Sequence, residues 1–314
     1  DYWIGGDTPE MMTGKDTAPP SFLLYPYILQ AGGTILFAPP GRGKSSVALL
    51  WAQSINTGVS KFWQVKKVPV LYINLERSAS SLKRRLAATN RVLGLATDYP
   101  LLTFNRRGHS LSALAPAIKR TIKQNNIKLL VLDSISRAGY GDLTENRPVN
   151  LIIDTLSGLC DSWVALGHTP RADESHIYGG VLFEAGADIM VQLTSESEAN
   201  KLGIQLEITK ANDLPAILPQ TWSLAFEEWS LSSIERAGEY EYTELATKRK
   251  PKMLSVVIDF ILNQDEADAN ATEIANATGF NRQNVSELLN RSGRFVKTRK
   301  VKNAQYFGVK EEKA

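Results

Sequence analysis

Short apolar runs alternate with amphipathic stretches along the first two thirds of the chain. The runs cover residues 34–38, 70–75, 101–104, 128–132, 163–166, 189–193 and 204–209. Their near-continuous Val, Ile and Leu content is what strands buried on both faces require. Between them, the spacing of apolar residues predicts helices over 45–55, 80–95, 111–124 and 149–162. Strand alternating with helix predicts an α/β fold, a mainly parallel sheet flanked by helices. Residues 1–30 hold Gly5, Gly6, Pro9, Pro19, Pro20 and Pro26 without a period and read as a loop-rich lead-in. Residues 227–251 are mostly polar and reach Lys248-Arg249-Lys250 before a proline, which reads as a linker.

A second pattern follows that linker. Met253, Val256, Val257, Phe260 and Ile261 lie on one helical face. A helix–turn–helix pattern comes next, with Gly279 at the turn and Ile274, Ala275, Val285, Leu288 and Leu289 supplying its apolar side. Two short runs, 295–299 and 305–309, predict a hairpin. Together they predict a small winged helix-turn-helix domain. The division is therefore a lead-in at 1–30, an α/β domain at 31–230, a linker at 231–251 and the winged helix at 252–314.

With 43% hydrophobic and 22% charged residues over 314 positions, the composition excludes a disordered chain, a collagen and a coiled-coil rod. No stretch approaches the roughly 18 uninterrupted apolar residues of a membrane span, and no signal-peptide pattern opens the sequence. The single cysteine, Cys160, fits a reducing compartment, so a cytoplasmic location without membrane partners is expected. The net charge of +3 conceals an asymmetry. Residues 248–314 hold 13 Lys and Arg against 8 Asp and Glu, a balance of +5, which leaves −2 before them. A basic terminal unit suits an anionic polymer.

Chemistry enters at residues 38–46. Ala38-Pro39-Pro40-Gly41-Arg42-Gly43-Lys44-Ser45 matches the phosphate-loop pattern G-x-x-x-x-G-K-[ST], with Ala38 in place of the first glycine. Gly41 and Gly43 let successive N–H groups turn inward toward phosphate oxygens, and a helix starting near Lys44 adds its positive end. Lys44 would reach the outer phosphates of ATP, the Ser45 hydroxyl would ligate Mg²⁺, and Ser46 continues the cradle. The run ending in Asp133 supplies the carboxylate partner of that magnesium. The residue after it is Ser134, so a base must come from elsewhere. Glu76, just past the strand at 70–75, lies at the carboxyl edge of the sheet and can orient and deprotonate water.

Residues 38–46, Glu76, Asp133-Ser134 and His168 together resemble the RecA-type ATPase core, and within it the RepA-like and DnaB-like ring helicases. Gly167-His168-Thr169-Pro170-Arg171, Tyr178-Gly179-Gly180 and Ala187-Asp188-Ile189 are similar to further motifs of that family, so the resemblance spans residues 32–213. It implies that His168 senses the terminal phosphate, that Lys210 reaches a neighbouring subunit's ATP, and that Arg85 lies against the adenine. Asn212 stands where many family members carry an arginine finger. Read from the residues alone, His168 also suits an ordinary hydrogen-bonded role, Lys210 a solvated strand end and Arg85 a charged helix face.

The resemblance also implies a homo-oligomer, a hexameric ring whose channel holds single-stranded DNA. Arg137 and Tyr140 on one loop, and Arg171 and Tyr178 on another, suit phosphate pairing and base stacking there. In the winged helix, Arg282, Gln283, Ser286 and Asn290 would face a duplex, joined by Arg299 and Lys300 of the wing. Between 281 and 302 seven basic residues face one acidic residue, Glu287. Docking to protein is the other use of such a domain. The expected activity is that of a replicative helicase hydrolysing ATP. The rivals are a recombinase or recombination mediator and an ATP-switched replication initiator or regulator. A start at Asp1 leaves room upstream for a primase-type domain.

Overall fold

The computed structural model describes residues 19–310, apart from 171–172, 180–181, 199, 213, 216, 228–229, 238–240, 243–244, 246–252, 263, 265 and 303. The chain divides into two compact units, Asp1–Leu245 and Ala246–Ala314.

The first unit opens with a small hairpin, β1 (Phe22–Leu24) and β2 (Ile28–Leu29). Then come β3 (Gly33–Ala38), α1 (Lys44–Thr57), β4 (Val70–Asn74), α2 (Ala79–Leu93), β5 (Leu102–Asn105), α3 (Leu111–Asn125) and β6 (Leu129–Asp133). A single 3₁₀ turn (Ile135–Arg137) leads to α4 (Asn146–Leu159), β7 (Trp163–His168), α5 (Leu182–Gly186) and β8 (Ile189–Glu198). Three strands close the unit: β9 (Lys201–Ala211), β10 (Gln220–Glu227) and β11 (Ser230–Arg236).

Strand order is β11-β10-β9-β8-β3-β7-β6-β4-β5. The six strands from β8 to β5 are mutually parallel, while β9, β10 and β11 add on antiparallel. Parallel neighbours need crossovers, and the helices that supply them cover both faces. Within the parallel part the order is β8-β3-β7-β6-β4-β5. The strand feeding the Gly-rich turn sits between β7 and β8, at the point where strand order reverses. Ligands of open α/β sheets bind at the carboxyl ends beside such a point.

Each face of the sheet has its own core. One gathers Leu36, Val47, Leu50, Trp51, Tyr72, Val131 and Leu166, the other Ile35, Phe37, Leu71, Ile118, Leu132, Ile152 and Phe183. Successive β3 residues thus alternate between the two, as the period of two requires. Helix ends follow local chemistry. Ser78 and Ser110 cap α2 and α3 by accepting from the N–H groups of Ser81 and Ala113. Helix α4 starts at Asn146 rather than 149, because Pro148 falls in its first turn, where no backbone donor is needed.

Two segments depart from their expected character. The lead-in contains the β1–β2 hairpin, with Leu23, Leu24, Tyr27 and Ile28 fully buried and Tyr27 stacked on Trp51 at 5.3 Å. The expected linker at 231–251 begins as strand β11, whose Leu231 and Ile234 join the core, and Tyr242 and Leu245 are buried as well. Tyr242 packs on the bare face of Gly203, where a Cβ would approach its ring to 2.4 Å.

The second unit comprises α6 (Met253–Leu262), β12 (Asp268–Asn270), α7 (Ala271–Thr278), α8 (Arg282–Arg291), β13 (Phe295–Val301) and β14 (Ala304–Val309). Its antiparallel sheet runs β12-β14-β13. Val257, Ile261, Ile274, Val285, Leu289, Phe295 and Phe307 form its core. A capping box of Asn270 and Glu273 starts α7. No helix among the described residues is long and apolar enough to cross a membrane.

Candidate active site

The turn after β3 is shaped by two glycines in the left-handed region, Gly41 at φ 82 and Gly43 at φ 96. Side chains other than glycine rarely adopt that conformation, and a Cβ on Gly43 would also meet the Leu202 side chain at 3.3 Å. Gly43 is the N-cap of α1, so the first helical N–H groups face the turn. Ala38 is fully buried at the strand end, where ordinary β geometry suffices and glycine is not needed. Lys44 is 6% exposed and its Nζ donates to the carbonyls of Ala38 (2.7 Å) and Pro39 (2.8 Å). Burial lowers its pKa to about 8, partly offset by the carboxylates of Glu76 and Asp133.

Opposite stands Asp133, 3% exposed at the end of β6. The Tyr72 hydroxyl donates to its Oδ2 at 2.8 Å, and the Ser45 hydroxyl is a further partner. Burial raises the Asp133 pKa, against these hydrogen bonds. Glu76 is aimed by a turn: Asn74 Oδ1 accepts from the backbone N–H groups of Glu76 (3.3 Å) and Arg77 (3.0 Å). Ser134 Oγ donates to Glu76 Oε2 at 2.9 Å, and His168 Nε2 lies 3.9 Å from the same oxygen. His168 first, and Ser134 after it, hold the Glu76 carboxyl down at about 2, against the effect of burial. At 3.9 Å the histidine contact is too long for a formed hydrogen bond. His168 Nδ1 is buried with no partner among the described residues.

Pro40, Gly41, Arg42, Gly43, Lys44, Ser45, Ser46, Glu76, Asp133 and His168 converge on one cavity of about 300 Å³, with Arg85 on its wall. Arg85 Nη1 points to Ser46 Oγ at 3.5 Å. Pro39 contributes its carbonyl to Lys44. The residues fit a nucleoside triphosphate with magnesium. The turn offers inward N–H groups and a buried cation to the phosphates. Ser45 and Asp133 offer two hard oxygens, the sparse protein ligand set that magnesium takes when phosphates complete its shell. Among the described residues no cluster of three or more His, Cys, Asp or Glu could hold a metal alone.

Sequence reasoning missed Tyr72, Arg77, Leu202 and Phe226. Arg77 lines the cavity beside Glu76, and Leu202 and Phe226 give it an apolar wall. A tyrosine inside a strand carries no sequence signal of function, and the apolar wall comes from strands remote in sequence.

The other expected residues lie elsewhere. Lys210 does not line the cavity; its Nζ donates to the carbonyls of Glu184 and Ala187, closing the end of α5. Asp188 accepts from Gly33 N at 2.8 Å, and Asn212 N donates to Asp188 O. Arg137 is exposed on the 3₁₀ turn. Tyr140 is half-buried: its ring packs against the core and its hydroxyl bonds Thr155 at 2.8 Å. Tyr178 is 46% exposed, and its N–H donates to the His168 carbonyl. Arg171, Gly180 and Asp213 lie outside the described residues.

In the second unit Gln283 and Asn290 are exposed on α8 and Ser286 is half-buried. Arg282 Nε donates to Thr272 Oγ1 at 2.9 Å. Lys300 is exposed. Arg299, expected on the wing, has partners within its own unit. It pairs with Asp268 (3.0 Å) and Glu266 and lies 4.5 Å over the Tyr306 ring, so its guanidinium is committed within its own unit.

Residues 12–166 match the family model of the AAA domain. No curated protein matches the sequence. Among solved structures, a KaiC-like protein from the hyperthermophilic archaeon Pyrococcus horikoshii aligns over 69% of this chain and 96% of its own, at 18% identity and a TM-score of 0.44. The stretch matched to the AAA domain holds β3, the phosphate-binding turn, Glu76 and Asp133.

Proposed function

We propose that this chain is an ATP-hydrolysing motor acting on DNA, of the kind that ring-forming replicative helicases represent. The convergence of Lys44, Ser45, Asp133 and Glu76 on one cavity is the observation that carries the reading. Lys44 and the turn N–H groups would bind the phosphates of ATP, and Ser45 with Asp133 would hold magnesium. When bound, the metal supplies charge neutralisation at the phosphates. Glu76 orients the attacking water and accepts its proton. A carboxylate held near pKa 2 is a weak base, so its hold on Ser134 and His168 must loosen before it acts.

His168 joins the cavity to the following loop, since the Tyr178 N–H reaches the His168 carbonyl. That contact supports a route from nucleotide state to a DNA-binding loop. The exposed cations of the second unit, Lys300 among them, support duplex contact by a winged helix. Assembly into a hexamer, with Lys210 reaching across a subunit boundary, belongs to the same proposal.

Glu76→Gln should lower ATP turnover at least about a hundredfold while Mg-ATP affinity is kept. Turnover at the wild-type rate would remove Glu76 as the base. The basic balance of residues 248–314 also favours a second reading, in which ATP is a switch for a DNA-bound regulator. Strand separation on a forked substrate would reject that reading; its absence, with ATP-dependent duplex binding, would favour it.

A further inference from the structure

The nucleotide cavity is lined by Arg42, Lys44, Arg77 and Arg85 against two carboxylates, Glu76 and Asp133, a formal balance of +2. Mg-ATP carries about two negative charges, so the chain's own residues match it in charge. Lys210, expected to serve a neighbour's ATP, gives its donors to the carbonyls of Glu184 and Ala187, and Asn212 carries no charge.

Among the four cations Arg77 has the least to hold it. It is half-buried, its Nε is shut off from solvent, and among the described residues its side chain makes no hydrogen bond and no ion pair. A buried donor left without an acceptor costs free energy, so the arrangement points to an acceptor that a ligand brings. Its backbone, by contrast, is fixed. Asn74, fully buried, accepts from the Arg77 N–H at 3.0 Å and donates to the Arg77 carbonyl at 2.8 Å. Asn74 is itself held by Asn105 at 2.7 Å. The same Asn74 oxygen accepts from the Glu76 N–H, so Glu76 and Arg77 leave one clamped turn. Burial first, and the like charge of Arg77 after it, lower the Arg85 pKa. Two guanidinium groups therefore stand close in one cavity, an arrangement that a phosphate relieves.

We propose that Arg77 donates to the terminal phosphate of ATP bound to its own chain and stabilises the charge that develops as this phosphoryl group passes to water. The inference rests on the ATP-hydrolysis part of the motor reading and names the group and the chain that supply the cation. In the step, the water oxygen bonds the terminal phosphorus as the bond to the bridging oxygen breaks. Glu76 takes the proton, and ADP leaves with the electron pair. Negative charge spreads over the phosphoryl oxygens and the bridging oxygen. A guanidinium meets such oxygens with a fork of donors, and donors already unpaired need no rearrangement before they act. Lys44 and the turn N–H groups hold the nucleotide without Arg77, so its contribution falls on the rate and not on binding.

The test uses the full chain, with turnover read by phosphate release and nucleotide affinity by calorimetry. Arg77→Ala should lower kcat at least about a hundredfold and leave KM within about threefold. Mg-ADP affinity should be unchanged, whereas the tighter binding of ADP with aluminium fluoride, a mimic of the transferring phosphoryl group, should be lost. Should that variant fail to fold, Arg77→Lys keeps the charge, gives up the fork, and should lower kcat at least about tenfold. Mixing Arg77→Ala chains with Glu76→Gln chains separates cis from trans. With Arg77 serving its own chain's ATP, every site lacks one of the two groups and the mixture stays inactive. Recovered turnover in the mixture would place Arg77 in a neighbour's site and overturn the proposal. A raised KM at unchanged kcat, lost ADP affinity, or a wild-type rate in Arg77→Ala would also overturn it, while the motor reading stands. A wild-type chain that leaves Mg-ATP intact would bring down the motor reading and this inference with it.

Discussion

Lys44 is the group whose titration a nucleotide should move. Burial holds its ammonium at about 8 instead of 10.5. At pH 8 roughly half the chains carry the charge, at pH 7 about nine in ten, and at pH 9 about one in ten. Phosphate oxygens beside the ammonium favour the charged form and restore it. Mg-ATP binding should therefore draw in about half a proton per chain at pH 8, rising to about 0.9 at pH 9 and falling to about 0.1 at pH 7. By the same linkage, affinity should weaken roughly tenfold between pH 7 and pH 9, about 1.4 kcal/mol. Titration calorimetry in two buffers of different ionisation heat gives the proton number directly. Phosphate groups titrate near pH 6 and add little in this range. A proton uptake that stays flat from pH 7 to 9 would refute the placement of Lys44 against the phosphates. Without nucleotide the sign is opposite for the fold itself. The unfolded chain binds more protons at Lys44 between about 8 and 10.5, so this group adds stability as pH rises through that window.

Three further outcomes follow from single contacts. Gly43→Ala forces a side chain into φ 96 and toward Leu202, and should cost about 1–2 kcal/mol in urea denaturation along with nucleotide affinity. Tyr72→Phe removes the hydroxyl that satisfies buried Asp133, so a loss of about 1–3 kcal/mol is expected, with weakened magnesium dependence of turnover; an unchanged midpoint would deny that contact its role. Arg299→Ala should lower the melting temperature of the second unit within the full chain, whereas Lys300→Ala should weaken duplex binding and leave melting alone; an unchanged melting temperature in Arg299→Ala would deny its pairing with Asp268 a structural role.

The centre of the parallel sheet was legible because β3, β4, β6 and β7 are buried on both faces and read as apolar runs. The Gly-rich turn was legible because its φ demands leave few residue choices. Strand β11 was not, because it lies at the sheet edge and its serines break the apolar run; only Leu231 and Ile234 mark it. The β1–β2 hairpin is too short to show a period. Among site residues, Lys44 and Ser45 open a helix, Asp133 and His168 end strands and Glu76 lies two residues past one, positions where sequence implies location. Leu202 and Phe226 reach the cavity from strands more than 150 residues beyond the turn, and no local pattern announces such a meeting. The partners of Tyr140 and Arg299, Thr155 and Asp268, were not legible, because each lies 15 or more residues away and no local pattern announces the contact.

Strand β3 occupies the midpoint of its sheet, with four strands on either side. Both its edges are laddered, so its amide hydrogens should be among the slowest in the molecule to exchange with deuterium, and those of β5 and β11 among the fastest of the sheet. The anchor of the phosphate turn is in that case the stiffest place in the protein. Motion accompanying turnover must then be absorbed at the periphery, where a neighbouring molecule could feel it.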